Sequence, residues 1–238
     1  MALQSVIRAI YPAQCLICDT LTEEDFALCG SCWAQTPFVT GLVCDACGTP
    51  LPGEEEDSEV LCDECMQIAR PWHKGRTAML YQDKGRHLTL ALKHGDRTDL
   101  SGPMGVWMAR VAGPLLSDDM IVAPVPLHWT RLFRRRYNQA ALLAQSVARQ
   151  LNLPCRPDAL IRVKRTQKME KFSRDARFAA LDGAISNNPK ASIANKSVLL
   201  VDDVMTTGAT LAACCEALHH AGVTQVCTLT LARAAKDT

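Results

Sequence analysis

Ser197-Val198-Leu199-Leu200-Val201-Asp202-Asp203-Val204-Met205-Thr206-Thr207-Gly208-Ala209-Thr210 is the stretch on which the fold turns. Ser197–Val201 is a short apolar run of the kind found in strands buried on both faces. Ala209–Ala221 then reads as a helix, stopped by Gly222 at a favoured position just past a helix end. Between them lies a strand-to-helix turn. The N-terminus of such a helix offers unpaired N–H groups and partial positive charge, which suits an anion. Thr206, Thr207 and Thr210 add hydroxyl donors, and Gly208 permits positive φ or close backbone approach. Asp202 and Asp203 would repel a bare phosphate, yet carboxylates are strong acceptors for vicinal hydroxyls. Phosphate together with a diol points to a ribose 5-phosphate. The Walker A pattern is absent and the glycine spacing of a dinucleotide fingerprint fails. Simple capping by Asp203 and Thr207 would not require an acidic pair, three threonines and a glycine within nine positions.

Outward from this turn, Met120–Val125 and Val223–Leu231 read as strands and Tyr137–Leu151 as an amphipathic helix. Leu88–Lys93 and Pro103–Leu116 are expected to be helical, and a short strand is expected to open at Ala184–Ile185. Alternating strands and helices over residues 71–238 predict an α/β domain with a mainly parallel sheet. Its ligands are expected at the carboxyl ends of the strands.

Residues 1–70 are a different material. Eight of the 12 cysteines form four Cys-x-x-Cys pairs, Cys15/Cys18, Cys29/Cys32, Cys44/Cys47 and Cys62/Cys65. Two such knuckles complete a tetrahedral sulfur shell, so the pattern predicts two structural zinc ions, with an iron–sulfur cluster or disulfides as the competing chemistries. Sequential grouping is the simplest, and a cross-braced alternation has the same spacings. An all-sulfur shell leaves no open position, so this module is expected to be structural or adhesive. Cys155, Cys214, Cys215 and Cys227 lack metal spacing and read as small buried residues. The apolar spacing of Leu3, Val6, Ile7 and Ile10 suggests an N-terminal helix.

The net charge of +1 conceals an asymmetry: residues 1–70 hold 2 Lys+Arg against 12 Asp+Glu, and residues 71–238 hold 24 against 13. Opposed halves of this kind either serve different partners or attract each other. No apolar run approaches the ~20 residues that span a bilayer. A secretory signal pattern is lacking, and the expected compartment is the cytoplasm.

The Asp202–Thr210 segment resembles the phosphoribosyl pyrophosphate loop of type I phosphoribosyltransferases, and with four Cys-x-x-Cys pairs ahead of it the chain resembles the ComF/GntX family over nearly all 238 residues. The likeness includes Leu92-Lys93-His94-Gly95-Asp96, Val125-Pro126-Leu127-His128-Trp129, Arg131, Arg134, Arg135, Asn138-Gln139, Arg162, Thr166-Gln167 and Arg177. It implies a type I phosphoribosyltransferase-like domain behind a double zinc ribbon. Met205, Thr206, Thr207, Gly208, Ala209 and Thr210 would hold the 5-phosphate. Asp202 and Asp203 would take the ribose hydroxyls at the catalytic position, with Mg2+ accompanying phosphoribosyl pyrophosphate. Val125, Pro126 and Leu127 would lie where the pyrophosphate loop lies. Two positions depart from the family pattern: Arg136 stands where glycine is usual, and Ala180 where asparagine is common.

Residues 131–177 contain 13 Lys+Arg against three acids, with Phe133, Tyr137 and Phe172 interleaved. Lys164, Arg165 and Lys168 are candidates for neutralising pyrophosphate. Arg131, Arg134, Arg135 and Tyr137 are candidates for tracking single-stranded DNA, since basic side chains beside aromatics serve both backbone and bases. A solvated surface is the plain alternative. Three functions follow: a competence or DNA-utilisation protein acting in natural transformation and DNA uptake beside uptake or recombination proteins, a phosphoribosyltransferase (a glycosyltransferase of nucleotide salvage), or a non-catalytic phosphoribosyl pyrophosphate sensor. The residues name no acceptor and no general base.

Overall fold

In a computed structural model, residues 11–54, 58–165 and 174–234 are described. The expected N-terminal helix, Lys168 and Thr166-Gln167 lie outside them. In chain order the elements are α1 (Gly30–Ala34), α2 (Asp63–Gln67), β1 (Gly75–Leu80), α3 (Asp83–His94), α4 (Ser101–Arg110), β2 (Met120–Pro124), α5 (Trp129–Arg135), α6 (Gln139–Leu151), β3 (Leu160–Arg162), α7 (Arg174–Ala179), β4 (Ile185–Asn187), β5 (Ser197–Met205), α8 (Ala209–His220) and β6 (Gln225–Arg233). Short 3-10 turns at Thr98–Leu100 and Gly113–Leu115 flank α4.

A parallel sheet of order β1-β6-β5-β2 carries the domain, and β3 and β4 form a separate two-stranded antiparallel sheet. Side chains alternate along a strand, and here both faces are buried. Val198 and Leu200 of β5, with Ile121 and Ala123 of β2, face a core shared with Leu211, Cys214, Cys215 and Leu218 of α8. Leu199 and Val201, with Met120 and Val122, face the opposite core, filled by Leu88, Leu92, Met104, Met108, Leu143 and Val147 from α3, α4 and α6.

The N-terminal module packs directly on this sheet. Cys44, Cys47 and Cys65 belong to the same core as Trp72, Val198 and Met205. The segment Pro37–Val39 lies along β1, with the Val39 N–H donating to Ala78 O (3.0 Å) and the Leu80 N–H to Pro37 O (2.9 Å). That pairing covers what would otherwise be an open sheet edge. Arg76 binds Asp45 at 2.6 Å across the same junction. A Cβ on Gly75 would stand 2.5 Å from Ala46 O, so the two modules meet backbone to backbone there.

Several boundaries differ from the sequence expectation. β5 does not stop at Val201 but runs on through Asp202 and Asp203 to Met205, because β6 continues beside it as far as the pair Met205↔Arg233. The helix expected from Tyr137 starts at Gln139, where the Asn138 side chain caps it by accepting the Ala140 N–H at 3.1 Å. The helix expected over Pro103–Leu116 ends at Arg110 and is followed by a separate 3-10 turn. Among the described residues, no helix is long and apolar enough to cross a membrane.

Candidate functional site

The acidic pair lies near the end of β5, which closes at Met205, and α8 begins four residues beyond it with Gly208 as its N-cap at φ +82°. That backbone is left-handed, and a Cβ on Gly208 would stand 3.0 Å from Arg70 Nη1, Met205 Cε and Trp72 Cη2. Only glycine suits both constraints. The loop is held from behind. Arg233 Nη1 donates to Met205 O (3.3 Å) and to Thr206 O, and Arg70 Nη1 donates to Thr207 O (2.8 Å). No cis peptide occurs among the described residues, and in a trans peptide the N–H points opposite to its carbonyl. With the carbonyls of residues 205–207 turned toward two arginines, the N–H groups of Thr206, Thr207 and Gly208 turn to the other side. Such a run of aligned N–H groups is an anion cradle. Arg177 donates from Nη1 to Thr206 Oγ1 at 3.1 Å and stands beside it.

The carboxylates are held differently. Asp203 pairs with Lys93 Nζ at 3.3 Å. Asp202 Oδ1 accepts the Asp203 N–H at 2.8 Å. Burial first, and the neighbouring Asp203 second, push the Asp202 carboxyl well above the usual carboxylate range, with Lys93 opposing. Buried Arg162 on β3 adds positive charge toward Asp202, and burial lowers its own pKa.

Val125, Pro126 and Leu127 follow β2 at the same end of the sheet. The Val125 N–H donates to Val201 O (2.9 Å), and Asn138 Nδ2 donates to Val125 O (3.0 Å). Asn138 thus caps α6 and pins this loop with one side chain. Its neighbours fix the other flank: Tyr137 Oη donates to Leu92 O (2.7 Å) and Gln139 Nε2 to Lys93 O (3.4 Å). The triplet therefore positions Lys93 for Asp203. Arg136 before it has φ +67°, which gives the reason glycine suits this position.

The other candidates scatter more widely. Lys164 Nζ donates to Asp182 O (2.9 Å) beside the β3–β4 sheet, and Arg165 is exposed after β3. Arg131, Arg134 and Arg135 lie on α5, whose Trp129 and Phe133 are 71% and 89% exposed. Tyr137 is half-buried with its hydroxyl on Leu92 O, so α5 offers Trp129 and Phe133 for stacking where the sequence pattern singles out Tyr137. His128 is buried and caps α5, accepting the Thr130 N–H at 3.3 Å.

The eight paired cysteines resolve into sequential groups, Cys15/Cys18/Cys29/Cys32 and Cys44/Cys47/Cys62/Cys65, and within each group the ligand atoms all lie within 4.8 Å of one another. Four convergent sulfurs with no disulfide suit a tetrahedral zinc ion. Burial pushes the pKa of Cys155, Cys214, Cys215 and Cys227 up, as inert buried thiols require.

Lys93, Arg177, Arg70, Glu64 and Arg233 have no site role that the sequence alone assigns. Lys93 and Arg177 do stand in motifs that carry the family resemblance. Arg70 and Arg233 leave no signal, because each binds backbone carbonyls that no side-chain pattern advertises.

Residues 6–73 match the double zinc ribbon domain and residues 138–238 the phosphoribosyl transferase domain. DNA utilization protein YhgH of Escherichia coli K12 is 28% identical over 222 residues, covering 90% of this chain and 94% of that protein. Competence protein ComFC of Bacillus subtilis is 25% identical over 221 residues, covering 85% and 87%. Competence protein F of Haemophilus influenzae is 40% identical over 114 residues, covering 48% and 50%. A hypoxanthine phosphoribosyltransferase structure from Staphylococcus aureus aligns with TM-score 0.35 and 16% identity over 60% of this chain and 69% of that one. The fold assignment stands on the strand order and the domain matches. A double zinc ribbon joined to a parallel-sheet phosphoribosyltransferase domain, with likeness along most of the chain to proteins named for competence and DNA utilisation, is consistent with the ComF family.

Proposed function

We propose that the protein is a DNA-linked factor of the competence type that binds phosphoribosyl pyrophosphate with Mg2+ between Asp202 and Thr210. One observation carries the reading: two arginines with buried side chains take the carbonyls of Met205, Thr206 and Thr207, which leaves the N–H groups on the opposite side of those peptides turned away from them, in the loop that follows Asp202 and Asp203. Amides and hydroxyls meet the 5-phosphate, and carboxylates meet the ribose diol. The loop Val125–Leu127 takes the pyrophosphate, with Lys164, Arg165 and Lys168 supplying positive charge. Mg2+ would neutralise the pyrophosphate when bound. A reducing cytoplasm suits the thiolate knuckles.

Single-stranded DNA is the second ligand in this reading. Trp129 and Phe133 project one helical turn apart on α5 beside Arg131, Arg134 and Arg135, a stacking platform with backbone charge. The names of the relatives favour the same partner, and DNA-uptake or recombination proteins would be its neighbours.

Calorimetry with phosphoribosyl pyrophosphate and MgCl2 tests the first part. Wild type is expected to bind, and Asp202→Ala with Asp203→Ala to bind nothing while keeping two zinc ions per chain. Intact affinity in that variant would refute the assigned loop. Pyrophosphate release then separates the activities. In transfer, the C1–oxygen bond to pyrophosphate breaks as an acceptor forms a bond to C1, and positioning and charge stabilisation supply the catalysis. Release that needs single-stranded DNA supports the DNA-linked enzyme. Release with a free base identifies a salvage phosphoribosyltransferase, and tight binding without release identifies a sensor.

A further inference from the structure

Resting on the phosphate-loop reading above, we infer that the second zinc knuckle sets the shape of that loop through Glu64, Arg70 and Arg233, so that metal at one site and ligand at the other stabilise each other. Glu64 lies on α2 between the ligands Cys62 and Cys65, and Arg70 follows five residues after Cys65. Arg70 donates from Nε to Cys65 Sγ (3.5 Å) and from Nη1 to Thr207 O (2.8 Å). Its guanidinium lies over the Trp72 ring at 5.5 Å from the centroid, and its Nη2 stands 3.3 Å from Glu64 Oε1. The other oxygen of Glu64 holds Arg233 Nη2 at 2.8 Å. Arg233 in turn donates to Met205 O and Thr206 O.

One carboxylate therefore orients two arginines, and those two arginines hold three successive carbonyls of the loop. Both arginine side chains are only 3% exposed, so these charge-assisted bonds are shielded from water. The orienting carboxylate is itself placed by its neighbours. Cys62 and Cys65 must converge on one ion, and the short helix between them is tied by the Cys65 and Met66 N–H groups to Cys62 O at 2.8 and 2.9 Å. Without the ion, nothing obliges the four sulfurs to converge. Glu64 and Cys65 then lose their fixed positions, and the arginines lose theirs. Glu64, Arg70 and Arg233 are positioning residues: the two arginines touch the loop, Glu64 acts through them, and none of the three is assigned to the ligand.

Coupling of this kind is reciprocal: whatever the metal does for ligand affinity, the ligand does for metal affinity. The first knuckle supplies an internal control. Leu16, inside it, packs in the opposite core with β1 and α4, whereas the second knuckle shares a core with Met205 and Trp72.

The test is a competition titration of the zinc-loaded full chain against a chromophoric chelator, with excess MgCl2, with and without saturating phosphoribosyl pyrophosphate. One of the two zinc ions is expected to be held about 5-fold or more tightly with ligand, the lower range of allosteric coupling, and the other unchanged. Glu64→Gln or Arg70→Met should erase the difference while two zinc ions remain bound, and Arg70→Lys should restore part of it. Calorimetric binding of phosphoribosyl pyrophosphate with neither zinc affinity altered overturns the relay and leaves the loop assignment standing. Equal tightening of both ions signals general stabilisation and also overturns it. Absence of ligand binding by the wild-type protein removes the loop assignment and the relay together.

Discussion

Asp202 is kept at a cost to the fold. Its carboxyl is partly buried on β5 beside Asp203, and desolvation raises its pKa well above the ordinary value. The unfolded chain would titrate it near ~3.9. A folded pKa above the unfolded one means that ionised Asp202 weakens the fold at any pH above its folded pKa. Relief begins as the pH falls through that value and is complete below about 4. Asp202→Asn keeps an acceptor for the Asp203 N–H and removes the charge. The variant is expected to melt higher than wild type at pH 8 in magnesium-free buffer, by about 1.4 kcal/mol for each unit of pKa elevation, and the advantage is expected to shrink toward pH 5. Differential scanning calorimetry at both values decides it; a variant melting at or below wild type at pH 8 contradicts the assignment. At this scale the sequence is informative where the candidate side chains are neighbours in the chain. Asp202, Asp203, Thr207 and Gly208 are local and share one turn. Arg70, which grips Thr207 O across 137 residues of chain, binds a carbonyl and so leaves no pattern to read.

Among elements, buried strands and long amphipathic helices are legible and short exposed ones are not. β5, β6, α6 and α8 follow from apolar runs and capping residues. β1 escapes detection because Gly75-Arg76-Thr77-Ala78-Met79-Leu80 mixes polar and apolar residues and is buried by its place beside β6, under α3 and α4, and by the covering segment Pro37–Val39. The seven-residue α5 escapes it for a different reason: none of its side chains is buried, so it has no apolar face to reveal it. That same exposure makes it testable. Trp129→Ala with Phe133→Ala is expected to leave circular dichroism unchanged and to weaken binding of a thymidine oligonucleotide by about 1–3 kcal/mol for each base that stacks. Arg134→Ala with Arg135→Ala should instead lower the slope of log affinity against log salt by about one for each phosphate left unneutralised. Fluorescence anisotropy at three salt concentrations separates the two. Unchanged affinity and slope in both variants would remove α5 from the nucleic-acid surface.

For the whole molecule, the opposed charges of residues 1–70 and 71–238 prove to be complementary at the junction. Asp45 meets Arg76 at 2.6 Å and Glu64 meets Arg233 at 2.8 Å, so at least part of the asymmetry serves to join the modules. Spacing alone correctly suggests two metal sites, and an all-sulfur module of this kind could be taken for one that folds and unfolds by itself. The packing argues otherwise. Pro37–Val39 lies against β1, Trp72 donates from Nε1 to Ala46 O at 2.6 Å, and Cys44, Cys47 and Cys65 complete the core that also contains α8. Loss of the knuckles would expose Trp72, Met79 and Met205, and would leave Arg70 and Arg233 buried without Glu64. Each is a costly change, so the modules should unfold together. Calorimetry of the zinc-loaded chain is therefore expected to give one transition whose van't Hoff and calorimetric enthalpies agree. A chelator should move that transition down as a unit, since metal bound only by the folded state adds to its stability. Two separated transitions, the first reporting zinc release and the second unaffected by chelator, would show that the phosphoribosyltransferase domain stands without its ribbons.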